Sequence, residues 1–235
     1  MSMDNRPLLP ALQGIIERTY GMPRVIADPG VFLIGDFGLR AFYTSPQGGR
    51  EGRTEGGHGG AVVHRTGARV LVRNPEGSPR LAVYYPDSLV RHLERHDPRR
   101  GIDDGNIDAF AVLVEELDHL LVIASRAARR RPVSLLELEI HAGVTKYLVV
   151  IHFLGRLVTR RRLSEFHRLW ARHHLFGKYA AGRGENESRY LEAARLARRY
   201  VSWLDRLAVP ARLAELLEFD RRGLAEQVGW IERVA

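Results

Sequence analysis

Cysteine is absent from the 235-residue chain. This absence excludes disulfide bridges, thiolate metal ligands and cysteine nucleophiles. Long apolar runs are also missing, because charged residues interrupt every stretch before it reaches the roughly 20 residues that a membrane-spanning helix needs. Residues 1–7 lack the basic start and apolar segment of a secretory signal. The sequence therefore predicts a cytoplasmic protein that has no membrane partner.

Lysine is almost absent as well: Lys146 and Lys178 are the two lysines among 36 lysine and arginine residues. The formal net charge of +8 is typical of proteins that bind polyanions. Such one-sided use of arginine nevertheless indicates a compositional bias rather than a surface selected for phosphate. Two arginine triplets fall at the ends of predicted helices, where the helix dipole favours cations. These triplets are the candidate nucleic-acid contacts, in the less favoured interpretation: Arg129, Arg130, Arg131, Arg160, Arg161 and Arg162.

The N-terminal third has the pattern of one helix followed by short strands. Residues 10–20 have helical spacing, and Gly21 and Pro23 then end the helix. Four short runs of β-like composition follow, separated by residues typical of turns: 31–34, 40–43, 61–72 and 81–85. The glycine-rich stretch 45–60 lacks the Gly-Lys-Ser/Thr ending of a phosphate-binding loop, and no dinucleotide fingerprint occurs. We therefore expect no nucleotide cofactor.

From Asp87 onward the pattern is helical. Helices are predicted at 87–94, about 106–130, 134–154, 164–176, 188–207 and from 209 onward, with a break near Gly223. The predicted fold class is α+β. It consists of an N-terminal helix and a small antiparallel β-sheet, followed by a predominantly helical C-terminal two-thirds. The length suits one large or two small domains. We expect a region 1–156 that carries the candidate site, with a helical region 157–235 packed on it or continuous with it.

A cluster of ionisable residues interrupts the most apolar predicted helix. Residues 109–124 read AFAVLVEELDHLLVIA, and the polar members are Glu115, Glu116, Asp118 and His119. A surface helix would carry a polar stripe along its whole length, so this pattern predicts a core helix with a local polar patch. Buried charges must be paired, hydrogen-bonded or bound to a metal. The cluster is therefore the strongest candidate for a functional site.

The next helix supplies candidate partners for this cluster. Glu115 and His119 are four residues apart, as are Glu137 and His141, and this spacing places both members of a pair on one helix face. The short turn 129–133 predicts antiparallel packing of the two helices, which would bring two histidines and several carboxylates together. Imidazole and carboxylate ligands suit zinc, iron or manganese. Three further acids are expected to support the ligands from outside: Asp108, Asp118 and Glu139.

Two segments resemble the ligand segments of gluzincin-type zincins. Residues 115–121 (EELDHLL) are similar to the family's His-Glu-x-x-His helix, with glutamate in place of the first histidine. Residues 139–142 (EIHA) are similar to the second segment, in which an acidic ligand precedes alanine. The order of N-terminal helix, short sheet and active helix is also shared, so the resemblance spans about residues 10–154. It implies that the metal ligands are Glu115, His119 and His141, with Glu137 as a substitute for His141. It also implies that Glu116 is the general base.

The departures from the zincin pattern affect what the resemblance implies about activity. Two of the three ligand positions differ in residue type, and a glutamate ligand adds negative charge that reduces the metal's power to activate water. The resemblance therefore implies either a variant metal-dependent peptidase or a catalytically inactive pseudoenzyme that acts through a partner. Tyr190, Trp203 and Trp230 are candidate aromatic anchors for a protein or peptide partner, although aromatic residues in such helices more often belong to the core.

Three other interpretations remain open. The cluster can be an internal ion-pair network, neutralised by Arg126 or Lys146, in a non-enzymatic helical interaction or scaffold protein. The spacing of Glu116 and His119 is similar to the Glu-x-x-His element of ferritin-like di-iron bundles, which need a second such pair. Arginine followed after a few residues by histidine, as in 91–96 and 168–173, marks a type of helical ribonuclease. That pattern leaves open the alternative that the protein binds or cleaves RNA.

Overall fold

The computed structural model describes residues 7–44, 67–73, 80–157, 163–177 and 185–234. Within these ranges the chain has an N-terminal helix, a three-stranded sheet and a helical majority, which confirms the predicted α+β class. None of the helices in these ranges combines the length and the hydropathy that a bilayer crossing requires.

Helix α1 (Leu8–Tyr20) confirms the first predicted helix and begins two residues earlier. Its buried face carries Leu12, Ile16 and Tyr20, which follow the spacing of an inward-facing helical stripe. The helix ends at Gly21, whose φ of 61° lies in the left-handed region that glycine adopts without strain. Tyr20 is thereby fixed inside the protein at the last turn of α1.

The sheet has the strand order β1-β3-β2, with β1 at Leu33–Ile34, β2 at Arg69–Arg73 and β3 at Arg80–Tyr84. β2 and β3 are antiparallel, as predicted, but β1 pairs with β3 in parallel, so the sheet is mixed. Residues 61–66 of the predicted strand 61–72 lie outside the described ranges. Directly after β3, the buried Tyr85 donates a hydrogen bond from its hydroxyl to a main-chain carbonyl of the helical region, 2.8 Å away.

Residues 40–43, predicted as a strand, belong instead to helix α2 (Asp36–Thr44), so this prediction is wrong. Leu39 and Phe42 are three residues apart on α2 and pack against a small apolar cluster of the sheet, formed by Leu71, Ala82 and Tyr84. A run of four residues is too short to distinguish a strand from a helix. The apolar positions fit the helical period once the preceding residues 36–39 are included.

Residues 31–32 of the predicted strand 31–34 belong to a short 3-10 helix (Pro29–Phe32). From Asp87 onward the described chain is mainly helical, as predicted. The helices are α3 (Asp87–Arg95), α4 (Ile107–Ala128), α5 (Leu135–Leu157), α6 (Glu165–Phe176), α7 (Glu185–Leu204), α8 (Val209–Arg221) and α9 (Leu224–Val234). Their ends lie within a few residues of the predicted ones, and the expected break near Gly223 separates α8 from α9. One apolar core extends from α1 and β3 through α4 to α9, and it therefore joins the regions 1–156 and 157–235.

Helices α4 and α5 form an antiparallel pair at the centre of this core. Arg126 of α4 contacts Glu137 of α5 near the connecting turn, and Glu115 contacts Lys146 at the far end. The turn itself passes through Arg130, whose φ is 52°. The following N–H then donates to the Arg126 carbonyl at 2.9 Å and closes the end of α4. This pairing brings the polar residues of α4 and α5 together inside the protein.

Candidate metal centre

Three side chains from α4 and α5 form a group that can hold a metal ion, which we name the carboxylate–histidine cluster: Glu115, His119 and Glu139. One ligand atom from each residue lies within 4.8 Å of the others. Glu115 and His119 share a face of α4 because they are one helical turn apart. Glu139 reaches them from the first turns of α5, so the cluster joins the two helices.

The imidazole of His119 has two different surroundings at its two nitrogens. Nδ1 lies 3.7 Å from Oε2 of Glu116, and Nε2 lies 3.8 Å from Oε2 of Glu139. Nε2 is buried and has no hydrogen-bond partner among the described residues. His119 as a whole is 9% exposed. A buried ring nitrogen without a partner costs free energy, and here it points toward a carboxylate of the cluster.

Lys146 of α5 is a cation in direct contact with the cluster. Its Nζ lies 2.6 Å from Oε2 of Glu115, and the lysine is 6% exposed. A contact of this length between a buried ammonium and a partly buried carboxylate is a charge-assisted hydrogen bond. Glu115 therefore has a cationic partner on one of its two oxygens.

The charges in and around the cluster shift its protonation equilibria. Burial alone would lower the pKa of His119, but the carboxylates of Glu116, Glu139 and Glu115 raise it to about 9. Burial would raise the pKa of Glu115, and the charges of Lys146 and His119 outweigh that effect and hold it below its ordinary value. Burial raises the pKa of Glu139 against the opposing charge of His119, and the charge of Glu115 adds to the rise. A proton on His119 thus supplies positive charge that the acids require.

The predicted ligand His141 lies in a separate, fully buried network. Its Nδ1 is 2.8 Å from Oδ2 of Asp118, and the Thr145 hydroxyl donates to Oδ1 of the same carboxylate at 2.8 Å. The Tyr20 hydroxyl lies 2.9 Å from the Thr145 oxygen, which ties α1 to α4 and α5. His141 is 0% exposed. Its Nδ1 therefore has a carboxylate partner away from the carboxylate–histidine cluster. Its Nε2 has no hydrogen-bond partner among the described residues and lies 3.9 Å from Oδ1 of Asp220.

The predicted substitute ligand Glu137 is paired with a buried arginine. Nε of Arg126 donates to Oε1 of Glu137 at 3.2 Å, and Nη2 lies 3.1 Å from the same oxygen. On its other side, Nη1 of Arg126 is 3.2 Å from Oδ1 of Asp220 in α8. Arg129 approaches the second oxygen of Asp220 at 3.3 Å. Glu137 thus belongs to an ion-pair group that joins α4, α5 and α8.

The other predicted site residues lie around these groups. Asp108 is exposed in the first turn of α4, two turns before Glu115. Arg130 and Arg131 are exposed in the α4–α5 turn, where Arg131 donates to a carbonyl of α8 at 3.1 Å. The second arginine triplet, residues 160–162, lies outside the described ranges. The arginine triplet that is described therefore has contacts within the protein through Arg129 and Arg131.

Glu139, predicted from the sequence to support the ligands from outside, belongs to the cluster itself. The buried participants Tyr20, Thr145 and Asp220 were not singled out. No local spacing links Tyr20 or Asp220 to the central helices, because each approaches from a distant part of the chain. The spacing of Thr145, four residues after His141, is the one signal that would have indicated its place.

Comparison with protein-family models, with curated proteins and with solved structures finds no match to this chain. The resemblance to zincins consequently stays a prediction from two short segments. Among the described residues, the carboxylate–histidine cluster is the group that could hold a metal ion.

Proposed function

We propose that this protein binds one divalent metal ion through Glu115, His119 and Glu139. The observation that carries the proposal is the buried Nε2 of His119, which has no hydrogen-bond partner among the described residues and lies 3.8 Å from the Glu139 carboxylate. A metal would give this nitrogen the partner that it lacks. The same ion would compensate the negative charges of Glu115 and Glu139.

The donor set favours a borderline or hard cation. One imidazole and two carboxylates suit zinc, manganese or ferrous iron, whereas copper(I) and other soft ions prefer the thiolates that this chain lacks. Three protein ligands leave further coordination positions for water. We therefore expect zinc, manganese or iron(II) at this site.

Glu116 supports a non-hydrolytic role for the metal. A general base must reach a metal-bound water, but the Glu116 carboxylate faces Nδ1 of the ligand His119. In that position it keeps a proton on Nδ1 and leaves Nε2 available to the metal, as carboxylates behind metal-bound histidines do. We propose that the ion fastens α4 to α5 and that the protein is a metal-stabilised binding protein rather than a peptidase.

Metal analysis tests this proposal. Protein prepared without a chelator or a metal-affinity tag should contain close to one equivalent of zinc, manganese or iron by mass spectrometry. His119→Gln and Glu139→Gln should lose it, whereas Asp108→Asn, an exposed acid on the same helix, should retain it. Glu116→Gln should keep one site and weaken its affinity by about ten- to a hundred-fold.

Two results would contradict the proposal. Wild-type protein that neither contains stoichiometric metal nor binds added zinc, manganese or iron would leave the cluster as an internal ion-pair network. Metal-dependent peptide hydrolysis that is lost in Glu116→Gln at saturating metal would instead favour the variant metallopeptidase.

A further inference from the structure

The position of Lys146 is unusual in a chain that uses arginine for nearly all of its cationic residues. Lys146 is one of two lysines in the sequence, and it is buried with its ammonium against Glu115. Compositional bias toward arginine therefore does not explain this side chain. A property that lysine has and arginine lacks is the better explanation.

The relevant difference between the two cations is their geometry. Lysine carries a compact point charge on a flexible stem, whereas arginine presents a planar fork that binds both oxygens of a carboxylate in a fixed arrangement. Nζ of Lys146 contacts Oε2 of Glu115, and Glu115 belongs to the three-ligand cluster. A compact point charge of this kind can be exchanged for another cation without the fixed geometry that an arginine fork would impose.

We propose that Lys146 is an internal counter-ion that competes with the metal for Glu115 and so sets the affinity of the site. This inference rests on the proposed metal binding. Without metal, the ammonium neutralises Glu115 and keeps the α4–α5 pair stable. When the metal binds Glu115, it meets the repulsion of the neighbouring ammonium, which weakens binding and allows the ion to exchange.

The test compares metal affinities of the wild type, Lys146→Met and Lys146→Arg by competition with a chromophoric chelator, using zinc and manganese as separate probes. Lys146→Met removes the competing charge and should tighten binding at least ten-fold. Lys146→Arg keeps the charge and fixes it as a fork, so it should weaken binding at least ten-fold. Arg198→Met, which removes the same charge from the exposed surface of α7, controls for net charge and should change the affinity less than two-fold.

The stability of the metal-free proteins provides a second measurement. With chelator present, Lys146→Met should unfold at a lower temperature than the wild type, because Glu115 loses its partner. With saturating metal, Lys146→Met should instead unfold at a higher temperature than the wild type. Circular dichroism shows whether Lys146→Met folds without metal. If it does not, the metal affinity of Lys146→Arg alone tests the inference, and an affinity equal to that of the wild type overturns it.

The two proposals fail in different ways. Equal metal affinities in the wild type, Lys146→Met and Lys146→Arg would overturn the role of Lys146 and leave the metal site intact. Failure of the wild type and of Lys146→Met alike to bind either metal would overturn the proposed function and the inference with it.

Discussion

At the scale of single residues, His119 is the group whose state determines what the cluster contains. As an imidazolium it adds a positive charge beside Glu116, Glu139 and Glu115, which is why its pKa is raised to about 9. As a neutral imidazole with a proton on Nδ1, it offers Nε2 as a ligand. A proton and a metal ion are therefore alternative ways of supplying the same positive charge at the same atom.

The raised pKa predicts how the stability of the metal-free protein depends on pH. Because the folded protein binds this proton more tightly than an unfolded histidine with a pKa of 6.5 does, its stabilising effect is complete below pH 6.5. The effect is lost as pH rises from 6.5 through about 9, and it amounts to at most about 3 kcal/mol. Urea denaturation with chelator present should show this fall in the wild type.

The matched comparison for this pH dependence is His119→Gln, which carries no titrating group at the position. The difference in unfolding free energy between wild type and variant should shrink across the interval from pH 6.5 to 9. A difference that stays constant over that interval would show that folding does not raise the pKa of His119.

At the scale of helices, Arg126 is the residue that joins elements from three parts of the chain. Its guanidinium lies between Glu137 of α5 and Asp220 of α8, and it is 1% exposed. Breaking a buried ion pair by removing one partner leaves an uncompensated charge, which costs more than the pair itself contributes. The arrangement fixes α8 against the α4–α5 pair.

Replacement of Arg126 by methionine should therefore lower the free energy of unfolding by about 3–5 kcal/mol. Arg129→Met is the matched control, because Arg129 contacts the same Asp220 from a partly exposed position and should cost less than about 1 kcal/mol. Denaturant titration of both variants measures the difference. Equal losses in the two variants would mean that the buried position of Arg126 contributes nothing beyond a surface ion pair.

The helices were predictable from sequence because their apolar periods are long, and α4 and α5 each run for more than 20 residues. The membership of the cluster was harder to predict. Glu139 and His141 are two residues apart, so they lie about 200° apart around α5. The local sequence pattern does not determine the rotation of α5 about its axis. This rotation decides whether Glu139 or His141 lies toward Glu115 and His119. The parallel pairing of β1 likewise depends on contacts distant in sequence.

At the scale of the whole molecule, two kinds of polar group lie in the helical interior. The networks of Asp118 with His141 and of Arg126 with Glu137 pair an imidazole or a guanidinium with a carboxylate, and they tie α1, α5 and α8 to α4. Among the described residues, the carboxylate–histidine cluster differs because one ligand atom from each of its two acids and its histidine lies within 4.8 Å of the others, close enough to hold a metal ion. Metal binding should therefore act on the stability of the core rather than on a surface loop.

A cooperative thermal shift on metal binding is the expected consequence. A ligand that binds only the folded state at a hundred times its dissociation constant stabilises a protein by about 2.7 kcal/mol. For a chain of this size, that corresponds to a rise in Tm of roughly 5–10 °C. Calorimetry of chelator-treated protein with added zinc or manganese should show a rise of this order, increasing with metal concentration.

The control is His119→Gln, which should show no rise in Tm because the cluster has lost its nitrogen ligand. This variant keeps all the surface carboxylates, which bind metals weakly. An equal rise in wild type and variant would assign the stabilisation to those surface carboxylates and would remove the metal from the interface of α4 and α5.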